Sequence, residues 1–135
     1  SRNERVTDEE FELILGIFRL CGKAAVISKD KMKEIIAING SSPAFIYLFA
    51  KGFIDYAESV GISKEAAEEL FSQSLIGSAK MITDSGYSID ELIKMVSSPG
   101  GTTLAGLDRL YEGNLTDTVR KCCESCTNRA YELSK

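Results

Sequence analysis

The stretch Asn39-Gly40-Ser41-Ser42-Pro43-Ala44-Phe45-Ile46-Tyr47-Leu48-Phe49-Ala50 decides the fold. Its first five residues are turn formers, and a proline placed just before an apolar run favours the first turn of a helix. The spacing predicts a helix over about 44–60, closed by Gly61. From Ala44 to Ala50 no face of that helix is polar. It should be covered on all sides, which in so small a domain suggests a subunit interface.

Working towards the C-terminus, helix signals follow one another. Ser63 can cap a helix over 64–84, with Ala66, Ala67, Leu70, Phe71, Leu75, Met81 and Ile82 on its apolar face. Gly86 stops it, and Ser88 with Glu91 makes a capping box for a short helix to about Val96. Ser97-Ser98-Pro99-Gly100-Gly101-Thr102-Thr103 then precedes a helix carrying Leu104, Leu107 and Leu110 and ended by Gly113. A last helix over 115–133 should bury Leu115, Val119, Cys122, Cys123 and Cys126. Residues 29–36 read as a short helical stretch. The expected body is an all-α helical bundle with short connections.

Towards the N-terminus the pattern changes. Thr7 and Glu10 form a capping box for a helix over 8–21 that stops at Gly22. Ala24-Ala25-Val26-Ile27 is too short for a helix and reads as a buried strand, although nothing else in the chain reads as its partner. That lone strand marks the N-terminal part as the tail of a truncated sheet domain.

Composition narrows the function. The chain has 135 residues, 44% hydrophobic and 27% charged, which supports one folded domain and disfavours disorder. Its net charge of −4 argues against binding nucleic acid. The apolar run at 44–50 is far shorter than the roughly 20 residues of a membrane span. Charged residues from Arg2 to Glu10 stand where an export signal would be apolar, so a cytoplasmic location with free thiols is expected. Cys123 and Cys126 share a C-x-x-C spacing, but zinc wants four soft ligands and the chain has no His. These cysteines are expected to pack as small core residues, with no metal.

Without histidine or a paired acid and nucleophile, independent acid–base or acyl-transfer chemistry is not expected. Glu112, the Glu68-Glu69 pair and Lys80 read as solvated helix charges. No G-x-G-x-x-G fingerprint is present for a dinucleotide. One segment has chemical promise. Residues 98–103 bring two glycines and three hydroxyls to a helix start, where amide N–H groups and the helix dipole favour a carboxylate or phosphate. The same residues would also serve an ordinary helix connection.

Four segments together resemble the C-terminal domain of pyrroline-5-carboxylate reductases. Asn39 to Phe45 resembles the family's S-G-S-G-P-A-Y, Gly77-Ser78-Ala79-Lys80-Met81 its G-A-A-K-M, and Val96 to Thr103 its V-x-S-P-G-G-T-T, followed by Ala105-Gly106-Leu107. Glu124 to Leu133 is the fourth. Asn39, Ser42 and Phe45 depart from the first motif, and Phe45 lacks the tyrosine hydroxyl.

The resemblance implies residues 1–28 as the end of a Rossmann cofactor domain and 29–135 as a helical dimerisation and substrate-binding domain. It implies a homodimer, with a higher oligomer also open, in which NADPH or NADH is bound mainly by the N-terminal domain. The implied reaction is reduction of 1-pyrroline-5-carboxylate to L-proline. The implied substrate residues are Ser98, Gly100, Gly101, Thr102 and Thr103, with the Thr103 hydroxyl near the ring nitrogen as the catalytic group. The isolated chain is then expected to be inactive. The competing expectation is a free-standing helical interaction module without catalysis.

Overall fold

A computed structural model describes residues 1–134. Six α-helices account for most of them: α1 Asp8–Cys21, α2 Ser42–Ser59, α3 Lys64–Asp84, α4 Ile89–Met95, α5 Thr102–Glu112 and α6 Leu115–Glu132. The fold is all-α, as the patterning predicts. Two units divide the chain. One comprises Ser1–Ser41 with residues 122–134, the other Ser42–Lys121, so α6 contributes residues to both.

In the first unit α1 begins where its cap dictates. The Glu10 amide donates to Thr7 Oγ1 at 3.2 Å, and the Thr7 amide donates to Glu10 Oε2 at 2.9 Å. Leu15 is buried, whereas Leu13, Phe18 and Leu20 are exposed, Leu20 by 88%. The strand expected at 24–27 is not formed: those residues have no regular structure. A strand needs a neighbour to pair its backbone groups, and the described residues include none.

The helical stretch expected at 29–36 is also reshaped. A 3₁₀ turn spans Lys29–Lys31 and a π-helical turn spans Ile36–Gly40, closed by the Ser41 amide on the Ile36 carbonyl at 2.8 Å. Ile35, Ile36 and Ile38 are β-branched and lower the preference for a regular α-helix. Ala37 in this segment is only 2% exposed.

Side chains of α6 reach the same segment. Tyr131 Oη donates to Glu34 Oε1 at 3.0 Å, Lys33 Nζ lies 4.3 Å from the Tyr131 ring centroid, and Cys126 Sγ donates to Ser41 Oγ at 3.1 Å. The Glu34 carboxylate holds the Tyr131 phenol above its ordinary range, because ionisation would break that hydrogen bond and set two negative charges together.

In the second unit α2 and α3 pack against each other, and the short link between them makes the pair antiparallel. Gly61, at φ 85°, allows the reversal: its amide donates to the Glu58 carbonyl at 3.1 Å and the Ile62 amide to the Ala57 carbonyl at 2.9 Å, a Schellman closure. Ala57 and Ala67 are buried, their small size letting the helices approach. Phe53 stacks on Phe71 with centroids 4.4 Å apart, and Phe49 meets Phe53 edge-on at 5.1 Å. The short α4 rests against α3.

Much of the apolar surface remains open. Tyr47 and Leu48 are exposed by 71% and 72%, although they lie in the 44–50 stretch that is apolar on every face. Leu70, expected on a covered face of α3, is 68% exposed, and Val119, expected buried on α6, is 53% exposed. Among the described residues the helix–helix packing is limited to α2 with α3 and α3 with α4, so apolar side chains pointing away from those two contacts are left open. No described helix is long and apolar enough to cross a membrane.

The two capping boxes make stability respond to acid. Ser88 holds the Glu91 carboxyl below the usual glutamate range, through its hydroxyl first and its amide second. Thr7 does the same to Glu10, through its amide first. A lowered carboxylate pKa contributes stability that is complete above the unfolded-state value and is lost as pH falls through the folded value. Resistance to thermal unfolding should therefore weaken progressively as pH falls from the ordinary glutamate range through the lowered folded-state values. Ser88→Ala should cost about 1 kcal/mol at neutral pH and reduce that acid sensitivity, measured by melting at a series of pH values.

Candidate functional site

The segment between α4 and α5 folds as a tight turn on a helix start. Pro99 and Gly100 are its central residues, Gly100 has φ 72°, and the Gly101 amide donates to the Ser98 carbonyl at 2.9 Å. Proline followed by a residue of positive φ is the type II pattern, so the sequence order Pro-Gly dictates the turn. Gly101 is the N-cap of α5 and, lacking a side chain, leaves the first helical amides uncapped.

The expected residues come together here. Ser98, Gly100, Gly101, Thr102 and Thr103 form one turn and the first helical residues, with the hydroxyl-bearing side chains exposed and Gly101 half-buried. A Cβ on Gly101 would lie 2.6 Å from Ser98 Oγ and 3.0 Å from Ser98 O, so a side chain here would require the hydroxyl to rotate and the carbonyl to give. Such a start presents N–H groups and the positive end of the α5 dipole to solvent, a setting that suits a small carboxylate.

The turn contains no titratable side chain. Shifted groups lie elsewhere and are explained by local contacts: Lys121 and then Arg120 hold the Asp117 carboxyl low, each at 2.7 Å. Ser28 lowers Asp30 through its hydroxyl. Nothing in residues 98–103 is therefore a tuned general acid or base. The four cysteines are free thiols.

One residue of the turn has a contact that the sequence reading gives no role. Ser97 Oγ donates to the Ile93 carbonyl at 2.7 Å and the Ser97 amide to the Lys94 carbonyl at 3.2 Å, fastening the turn to the end of α4. The available signal is a serine four residues after a helical carbonyl, where its hydroxyl can bond back.

The described residues show no Rossmann-type cradle for a nicotinamide dinucleotide. Its pyrophosphate would call for a strand, a G-x-G-x-x-G turn and a helix, and neither that fingerprint nor a strand occurs among the described residues. A cavity of the first unit, about 940 Å³, is lined by the N-terminal segment, α1 and residues 23–26, and is mainly apolar where α1 borders it.

Open apolar helices and a glycine-opened turn define the class: an all-helical assembly domain. The chain belongs to the pyrroline-5-carboxylate reductase family, whose dimerisation model, described as "Pyrroline-5-carboxylate reductase dimerisation", matches residues 29–133. It is 34% identical over 133 residues to the pyrroline-5-carboxylate reductase of Escherichia coli K12, covering 98% of this chain and 49% of that protein. Against the Staphylococcus aureus reductase the identity is 36% over 121 residues, covering 90% and 45%.

Solved structures agree. The Coxiella burnetii reductase superposes with a TM-score of 0.93 at 38% identity, over 98% of this chain and 50% of that one. The Plasmodium falciparum pyrroline carboxylate reductase, solved with NADP bound, gives 0.89 at 29% identity, over 98% and 54%. The chain thus spans about half the length of the curated relatives it matches.

Proposed function

We propose that the chain is the C-terminal part of a pyrroline-5-carboxylate reductase, supplying the dimer interface and the loop that holds the substrate carboxylate. In this reading residues 1–28 close a preceding Rossmann domain and 29–135 form the helical domain. The match extends across residues 1–28 in relatives covering 98% of the chain, although the dimerisation model begins at residue 29, which supports that boundary. The enzyme would be a cytoplasmic homodimer reducing 1-pyrroline-5-carboxylate to L-proline.

The observation that carries this reading is the type II turn leading into the uncapped start of α5. The substrate pairs a carboxylate with a ring imine. Amides at the head of α5 and the hydroxyls of Ser98 and Thr102 receive the carboxylate, and Thr103 orients the ring nitrogen and then hydrogen-bonds the product amine. NADPH or NADH, bound by the preceding domain, would supply the hydride. This chain's share is binding and orientation.

The purified 135-residue chain should give no oxidation of NADPH with pyrroline-5-carboxylate, whereas the two-domain protein should turn over. Thr103→Ala in that protein should lower kcat/KM by about a hundredfold without changing the mass of the dimer, the scale of a lost orienting contact at the reacting centre. Turnover by the isolated chain would overturn the division of labour. An unaffected Thr103→Ala enzyme would overturn the assignment of the turn.

A further inference from the structure

We propose that Ser97 is a positioning residue for substrate binding: its hydroxyl fixes the Ser98–Gly101 turn to the C-terminal end of α4. The inference rests on the proposed role of that turn and extends it to a residue that touches no substrate. A turn used to bind a small anion must hold its amides in one direction, and the α5 start has no side-chain cap to stiffen it. Its own closing hydrogen bond, from Gly101 to Ser98, fixes the shape of the turn but not its attachment to the preceding helix.

Ser97 provides that attachment through two bonds at adjacent carbonyls, hydroxyl to Ile93 and amide to Lys94. The side chain is half-buried, so water competes weakly for the Ile93 carbonyl. Every other hydroxyl of the segment, on Ser98, Thr102 and Thr103, is on an exposed residue. α4 is in turn packed on α3, so the chain of support runs from the α2–α3 pair through α4 and Ser97 to the turn. Only the hydroxyl is side-chain-specific. The Lys94 bond uses backbone and survives any substitution except proline.

The test uses the two-domain reductase with Ser97→Ala, Ser97→Thr and Thr103→Ala variants, assayed with pyrroline-5-carboxylate and NADPH. Ser97→Ala should raise KM for pyrroline-5-carboxylate about three- to tenfold, the scale of one partly buried hydrogen bond. The KM for NADPH and the dimer mass should not move, and Ser97→Thr, which keeps the hydroxyl, should restore the wild-type KM. An unchanged substrate KM in Ser97→Ala, alongside an impaired Thr103→Ala enzyme, would overturn the positioning role and leave the site standing. No effect of either variant would overturn the site reading itself. A lower melting temperature with unchanged KM would assign Ser97 to folding alone and also overturn the proposal.

Discussion

Leu48→Glu should abolish the dimer, converting the helical domain at micromolar concentration to monomeric or unfolded chain in sedimentation or light scattering. Leu48 stands on α2, 72% exposed in the single chain, beside the similarly exposed Tyr47. Covering a leucine contributes about 1.5–3 kcal/mol, and a carboxylate forced under the same cover without a partner costs several more. In a twofold dimer each substitution occurs twice in one interface. Lys51→Ala, one turn away, removes only a surface ion pair with Asp55 and should leave association within about 0.5 kcal/mol of wild type. A fully dimeric Leu48→Glu protein would remove α2 from the interface.

The size of the open surface explains why so large an effect is expected. The chain exposes 10959 Å², against roughly 7,000 Å² for a folded monomer of this mass by surface-to-mass scaling. Its apolar content is what matters: Leu, Ile, Phe and Tyr side chains are open on helices α1, α2, α3 and α6, while among the described residues no large side chain is fully buried. A chain with so little core of its own gains its stability from what covers it, so loss of the interface and loss of the fold should coincide.

Helix boundaries were legible because they are written in local chemistry. Thr7 and Glu10, Ser63, and Ser88 with Glu91 each satisfy amides within three residues, so α1, α3 and α4 start where the caps place them. The end of α2 was legible for the same reason, since Gly61 supplies a left-handed residue. Residues 24–41 were less so. Whether Ala24-Ala25-Val26-Ile27 becomes a strand depends on a neighbour, which periodicity cannot supply. The π turn at Ile36–Gly40 is flanked by contacts from α6, Tyr131 on Glu34 and Cys126 on Ser41, about ninety residues distant and invisible to local periodicity.

Burial was the part that periodicity overstates. An apolar stripe tells which face wants cover, but not which chain provides it, so Leu70 and Val119 are exposed where a core was expected. The turn at 98–103 shows the same division within a site. Pro99-Gly100 announces the reversal, and Thr102 and Thr103 announce the helix start, both through neighbours in sequence. The bond from Ser97 to Ile93 and the crowding of Gly101 by Ser98 needed three-dimensional geometry.

That crowding makes Gly101→Ala the second large-effect substitution, with loss of substrate binding expected while the dimer persists. Gly101 has φ −78°, which alanine adopts freely, so backbone preference is not the obstacle. The obstacle is contact. The new methyl would stand 2.6 Å from Ser98 Oγ and 3.0 Å from Ser98 O. The hydroxyl can rotate away, but the carbonyl accepts the Gly101 amide at 2.9 Å and moves only by opening the turn. Opening it would redirect the amides proposed to receive the carboxylate, so KM for pyrroline-5-carboxylate should rise by about a hundredfold. Gly100→Ala is a different case, because it meets open space but sits at φ 72°, a strain of about 1–2 kcal/mol that leaves contact intact. Adding Ser98→Ala to Gly101→Ala separates the two clashes: it removes the 2.6 Å contact and retains the 3.0 Å one. Because Ser98→Ala alone removes a hydroxyl proposed to receive the carboxylate, the double variant is compared with that single variant: a higher KM would leave the carbonyl contact at fault, an equal KM would assign the fault to the hydroxyl, and a single Gly101→Ala enzyme with unchanged KM would show that the turn does not hold the carboxylate.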